Sequence, residues 1–198
     1  MKRLVLASNN PGKLREIAEL LEDRSIEVIA QGRLGIPEAD EPHVTFLENA
    51  LAKARQASRM AGLPALADDS GLCVDALDGQ PGVNSAYYAG RDGDRKERDA
   101  RNNRKLLDSI PGDNRNAYYC CVMVLLRTAD DPRPLVAEGV WRGEIARVER
   151  GTNGFGYDPL FHLRDLGKSA AELDPALKNR ISHRAQALQK LLLLLDPC

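Results

Sequence analysis

The sequence predicts a mixed α/β protein with a cleft, on two observations. Short, continuously apolar runs alternate with helix-periodic segments over the first 62 residues. A block of strand-like runs then occupies the middle of the chain, between Ala65 and Val148.

Leu4–Ala7 reads as a buried strand, apolar throughout. Lys13 to Glu22 reads as a helix with Leu14, Ile17, Ala18 and Leu21 on one face. Ile26–Ala30 is a second strand, and Gln31–Val44 a loop rich in Gly, Pro and acid. Thr45 opens a helix that Gly62 ends, with Glu48 at capping-box spacing. Its apolar stripe is Phe46, Leu47, Ala50 and Ala54, and Asn49 and Lys53 share the polar face. Ala65–Asp68 and Leu72–Leu77 read as two short strands around Asp69-Ser70-Gly71. A loop over 78–94 leads into a charged helix ending near Ser109. Ala117–Arg127 is the longest predicted strand, and Leu135–Val148 reads as a hairpin turning near Arg142-Gly143. Gly151–Asp158 is a glycine-rich loop. The end is helical, with a capping box at Ser169 and Glu172 and an amphipathic helix over Arg184–Leu195.

The 198 residues suit one domain or two closely joined lobes. A hydrophobic share of 43% supplies a sizeable core, and a net charge of -1 gives no basic field to draw nucleic acid. A local group of Lys and Arg can still bind a small anion. Cys73, Cys120, Cys121 and Cys198 form no CxxC pair and read as reduced core thiols of a cytosolic protein. The apolar run at the N-terminus is too short for a signal peptide, and Leu191–Leu195 is too short to cross a membrane.

Ser8-Asn9-Asn10-Pro11-Gly12-Lys13 joins the first strand to the first helix, where free N–H groups and positive partial charge favour phosphate. Lys13 opposes the helix dipole, a cost of about 0.3–1 kcal/mol that a bound anion would offset. The segment is no P-loop, because Leu14 stands where Ser or Thr is needed. Ala67-Asp68-Asp69-Ser70-Gly71-Leu72 places two carboxylates on opposite faces at a strand end. They read either as turn residues or as ligands for Mg²⁺, a hard cation that takes oxygen donors. Asp40-Glu41 offers a further carboxylate, and Lys53 a phosphate contact. Gly154-Phe155-Gly156-Tyr157-Asp158-Pro159 sets two aromatics and an acid among glycines, a pattern able to stack on and hydrogen-bond a purine. His183 and Arg184, downstream of Lys178, are donors that could face a C6 keto oxygen and reject an amino group.

These blocks, in this order, resemble the inosine/xanthosine triphosphate pyrophosphatase family. The resemblance covers the chain from SNNPGK through FLENA, ADDSGL and GFGYDP to SHR. It implies a single domain over 1–198, an elongated α/β sheet with flanking helices, two lobes and a central active-site cleft, and a cytoplasmic homodimer. It implies substrate contacts from Ser8, Asn9, Asn10, Pro11, Gly12, Lys13, Ser70, Phe155, Gly156, Tyr157, Asp158, Lys178, His183 and Arg184. Glu41 and Asp69 would hold Mg²⁺, Asp69 would also accept the proton, and Lys53 would face the phosphates. The substrate implied is a non-standard purine nucleoside triphosphate such as ITP, dITP or XTP, cleaved to monophosphate and pyrophosphate. No nucleic-acid or membrane partner is expected. One departure is Tyr87, where the family often has Arg, and Arg91 is the nearby replacement. The alternatives are a pyrophosphatase for modified pyrimidine triphosphates and a non-catalytic nucleotide sensor.

Overall fold

The computed structural model describes residues 2–21 and 26–195. Cys198 and the expected end of the first helix at Glu22 lie outside them.

Strand β1 (Arg3–Leu6) pairs in parallel with β2 (Glu27–Ala30), and helix α1 (Pro11–Leu21) makes the crossover. Helix α2 (Phe46–Ala61) leads into β3 (Ala65–Val74), which joins β1 in parallel through Val5 opposite Ala65. Helix α3 (Arg95–Ser109) precedes β4 (Asn116–Leu126) and β5 (Leu135–Ile145). Short strands β6 (Phe161–Leu163) and β7 (Lys168–Ser169) pair antiparallel in succession, β6 against β5 and β7 against β6. Helices α4 (Pro175–Ile181) and α5 (His183–Leu195) end the described chain. Among the described residues the strand order is β2-β1-β3-β4-β5-β6-β7, a seven-stranded sheet with both parallel and antiparallel pairs, so the α/β class expected from the sequence holds. Among the described residues no helix is long and apolar enough to cross a membrane.

The chain forms two compact units. The first is Met1–Asp69, Cys121–Gly139 and His183–Cys198, and the second is Ser70–Cys120 and Val140–Ser182. In the first, Leu4, Leu6, Leu66, Met123 and Leu125 of the strands pack against Ile17 and Leu21 of α1 and Leu188 and Leu191 of α5. Each such fully buried side chain contributes about 1.5–3 kcal/mol. The second unit centres on three rings. Phe161 lies 4.7 Å from Tyr119 and 5.3 Å from Trp141, centroid to centroid, among Leu72, Val74, Leu106 and Leu160.

The predicted caps of α2 hold. Thr45 accepts from the Glu48 amide, and Gly62 closes the helix at φ 64°. Ala50 and Ala54 of its predicted stripe are buried, whereas Leu47 is exposed. On α1, Ile17 and Leu21 are buried but Ala18 is exposed, so the apolar face is narrower than expected.

Three expectations are corrected. Residues 65–74 form one continuous strand, not two short ones about a turn. Gly71 is needed there for another reason: a Cβ would overlap the Gly82 carbonyl oxygen. Residues 135–145 form one strand, not a hairpin. Gly143 lies against the His162 carbonyl and the Phe161 ring, so it serves close strand packing and makes no turn. The capping box at Ser169 and Glu172 is present, but it opens a three-residue 3₁₀ turn, Ala170–Glu172. Proline at the start of α4, capped by Asp174, begins a new helix five residues further on.

Candidate active site

In the first unit, the loop after β1 is built by its own side chains. Asn10 Oδ1 accepts from the Gly12 amide at 3.0 Å and the Lys13 amide at 3.3 Å, and Ser8 Oγ accepts from the Asn10 amide at 3.2 Å. Asn10 thereby caps α1, with Pro11 at the first helical position. Asn9 is exposed, and its Oδ1 faces Gly32, where a Cβ would stand 2.7 Å away.

Strand alternation sends Asp68 and Asp69 to opposite faces of β3. Asp68 Oδ2 accepts from Lys13 Nζ at 2.9 Å and stands 3.5 Å from Arg184 Nε. The Cys121 thiol reaches the same oxygen at 3.9 Å. Arg184, 2% exposed, also pairs with Glu16 of α1. Burial would raise the Asp68 carboxyl, but the charges of Lys13 and Arg184 outweigh it and hold the group well below the usual carboxylate range. Burial works against the Arg184 charge too, and Asp68 and Glu16 overcome it.

On the other face, Lys53 of α2 donates to Asp69 Oδ1 at 2.8 Å and to Glu41 Oε1 at 2.7 Å. Asn49, one turn before Lys53, donates to Asp69 Oδ2 at 3.4 Å and to the His43 carbonyl at 3.1 Å. It also accepts from the His43 amide, tying the Glu41 loop to α2. Burial opposes the Lys53 charge, yet Asp69, Glu41 and Asp68 together raise its ammonium above the ordinary lysine range. Burial pushes the Asp69 carboxyl up, a push that Lys53 opposes.

Glu41 and Asp69 thus converge on a single cation, the Lys53 ammonium. Mg²⁺ takes one or two carboxylates together with waters and substrate phosphates. The two oxygens fit that demand. Among the described residues no group of three His, Cys, Asp or Glu side chains could hold a metal by protein ligands alone.

His183 begins α5 and is 5% exposed. The helix starts tight against β5, because a Cβ on Gly139 would overlap the His183 carbonyl oxygen.

In the second unit, the loop around Phe155 closes on Asp158. Asp158 Oδ2 accepts from the Phe155 amide at 2.9 Å and from Lys178 Nζ at 2.7 Å. Gly154 at φ 75° leaves room for that carboxylate. The Phe155 ring carries two cations, Arg95 at 4.7 Å and Lys178 at 5.0 Å. Tyr157 is 4% exposed in the core, and its hydroxyl donates to the Ser85 carbonyl at 2.9 Å. Burial pushes its phenol far up. Ser70 lies half-buried on β3. Where the expected Arg is missing, Arg91 sets its guanidinium 4.2 Å from the Tyr87 ring centroid, with Arg98 at 5.6 Å.

Cys73, Cys120 and Cys121 are buried thiols. Burial raises the Cys73 thiol, so little of it is thiolate and a nucleophilic role is disfavoured. Sequence reasoning found Lys53, Asp69 and Glu41, which the structure brings together. It read Asp68 only as a turn residue or metal ligand and Asn49 only as part of a polar face, and it gave Glu16 no role. These partners lie 20 to 168 residues away, so no local spacing could reveal them.

Comparison with known proteins places the chain in a family. A model of the Ham1 family matches residues 4–193. A dITP/XTP pyrophosphatase of Burkholderia pseudomallei is 62% identical, the match covering 96% of this chain and 91% of that protein. A dITP/XTP pyrophosphatase of Nitrosomonas europaea is 58% identical over 99% of this chain and 95% of its own. Among solved structures, a HAM1 protein from Coxiella burnetii superposes with a TM-score of 0.90 at 48% identity, covering 98% of each chain. The Staphylococcus aureus Ham1 protein gives 0.85 at 37% identity, again with 98% of each chain covered. With nearly its whole length matched in sequence and in backbone, the chain belongs to the Ham1 family.

Proposed function

We propose that this chain hydrolyses non-standard purine nucleoside triphosphates (ITP, dITP and XTP) to the monophosphate and pyrophosphate. The observation that carries the reading is the convergence of Asp69, Glu41 and Lys53 on one point. The relatives named dITP/XTP pyrophosphatase support the substrate class.

Water attacks the α-phosphorus and its oxygen forms the new bond. The bond from that phosphorus to the bridging oxygen breaks, and pyrophosphate leaves with the electron pair. Asp69 accepts the proton of the attacking water, a role for which its burial and raised basicity suit it. Lys13 and Lys53 offset charge growing on the leaving group. Lys53 leaves Glu41 and Asp69 for the phosphates as the site loads. Glu41 and Asp69 would hold Mg²⁺, which would supply Lewis-acid polarisation of the phosphate oxygens. Ser8, Asn9, Asn10, Pro11 and Gly12, the loop before α1, line the polyphosphate.

Phe155 stacks on the purine while Gly156, Asp158 and Lys178 of the same unit read its edge, and in the first unit Arg184 is taken up by Asp68 and Glu16. Tyr157 contributes from behind, by holding the loop to Ser85. A 6-keto group accepts from these donors, and a 6-amino group meets them donor to donor. A homodimer in the cytoplasm, with no nucleic-acid partner, belongs to the same reading. The near-zero net charge supports the lack of a nucleic-acid partner.

The test is a panel of ITP, XTP, dUTP, GTP and ATP with Mg²⁺, with products resolved by ion exchange. IMP and pyrophosphate from ITP, far ahead of GTP and ATP, is the expected outcome. Binding of ITP without cleavage would favour a sensor, and preference for dUTP a pyrimidine enzyme.

A further inference from the structure

Helix α3 holds none of the predicted site residues, yet three of its side chains address the loop 154–158. Asp99 Oδ2 accepts from the Gly156 amide at 2.9 Å. Asn103, one turn later, donates from Nδ2 to the Gly156 carbonyl at 3.3 Å and to Glu149 Oε1 at 3.1 Å. Arg95, one turn before Asp99, lies over the Phe155 ring. Positions four apart share one helix face, so residues 95, 99 and 103 form a single stripe.

The stripe grips a residue that needs it. Gly156 sits at φ 62°, outside any helix or strand, so its amide and carbonyl lack a ladder of their own. Asp99 takes the amide and Asn103 takes the carbonyl. The Asn103 side chain is 3% exposed and has little freedom to move. The neighbouring Phe155 amide is held in turn by Asp158. The peptide on each side of Phe155 is therefore anchored.

We infer that Asp99 and Asn103 are positioning residues that set purine selectivity, by clamping both polar groups of Gly156 and so fixing Phe155 and the neighbouring Asp158. The inference rests on the base-reading role proposed above for this loop. Rejection of a wrong base depends on polar groups held where they cannot adapt. A loose loop pays an ordering cost when the right base binds and yields to the wrong one. Asp69 and the phosphate chemistry are untouched, so the clamp acts on KM and on base discrimination, with kcat spared.

The test compares Asp99→Ala, Asp99→Asn and Asn103→Ala with wild type, using ITP and ATP as substrates and hydrogen exchange at the Gly156 amide. A hydrogen bond to a charged group sets the scale of the effect. Asp99→Ala should raise KM for ITP by roughly tenfold, with kcat within about threefold. It should lower the ITP-over-ATP ratio of kcat/KM by roughly tenfold. Gly156 exchange should quicken by about tenfold as well. Asn103→Ala should act in the same direction. Asp99→Asn keeps an oxygen acceptor and should recover most of the selectivity. An Asp99→Ala protein with wild-type KM and discrimination would overturn the assignment. So would equal losses in both substrates that Asp99→Asn fails to rescue, since that pattern marks a purely structural role. A wild type inert toward ITP would instead overturn the function on which the inference rests, and Gly156 exchange alone would then decide whether the clamp exists.

Discussion

Lys53 donates to Asp69 across 2.8 Å, joining the middle of helix α2 to the middle of strand β3. The same ammonium reaches Glu41 at 2.7 Å. One cation therefore already stands where the two proposed metal ligands meet, and the sequence supplies it from three separate segments.

Lys53→Met removes that resident charge. Mg²⁺ affinity in the absence of nucleotide should rise by about tenfold, worth about 1.4 kcal/mol, because the buried Asp69 and the exposed Glu41 both lose their partner. Turnover of ITP should fall by about a hundredfold, since the leaving group loses a cation. Calorimetric titration with Mg²⁺ and steady-state pyrophosphate release check the two effects. Weaker Mg²⁺ binding in the variant would contradict the shared position.

Asp68→Ala should be the more damaging of the two aspartate truncations for stability. Its side chain is fully buried, and it holds Lys13 and Arg184 together. Breaking a buried ion pair costs about 3–5 kcal/mol, because the cations lose their counter-charge. In Asp69→Ala, Lys53 keeps Glu41, so the cost should be smaller. Urea midpoints for the two variants decide the order.

The sequence carried the capping of α2, the class of the fold and the adjacent carboxylates of β3, whereas Glu41 and Lys53 were joined to them only by the family resemblance. Those features rest on short-range chemistry, such as Thr45 with Glu48, Gly62 beyond a helix, or two carboxylates on adjacent strand positions. It misread the points where tertiary contact outweighs local composition. Asp-Asp-Ser-Gly has turn character, yet β3 runs straight through because Asp68 and Asp69 each find a cation and Gly71 meets the Gly82 backbone. Arg142-Gly143 has turn character too, but Gly143 is there to admit Phe161 and His162. The α3 stripe was invisible for a related reason. Arg95, Asp99 and Asn103 look like an ordinary solvated face until the loop 154–158 is folded against them.

Gly139→Ala tests how closely the strand and the last helix must fit. The added methyl would overlap the His183 carbonyl and press on the Ala187 amide, both backbone atoms that cannot rotate away. A loss of about 1–3 kcal/mol is expected. KM for ITP should rise as well, because α5 carries Arg184 to Asp68. Thermal melts and saturation kinetics measure both, and an unperturbed variant would show that α5 tolerates displacement.

The central claim is that the Asp69 carboxylate drives hydrolysis, and Asp69→Asn tests it most directly. The amide keeps the shape and an acceptor for Lys53 but cannot take the proton of the attacking water. With ITP and saturating Mg²⁺, pyrophosphate release should fall by roughly 10²–10⁴, the range a positioned base contributes. Release at a rate near that of the unaltered enzyme would contradict the account.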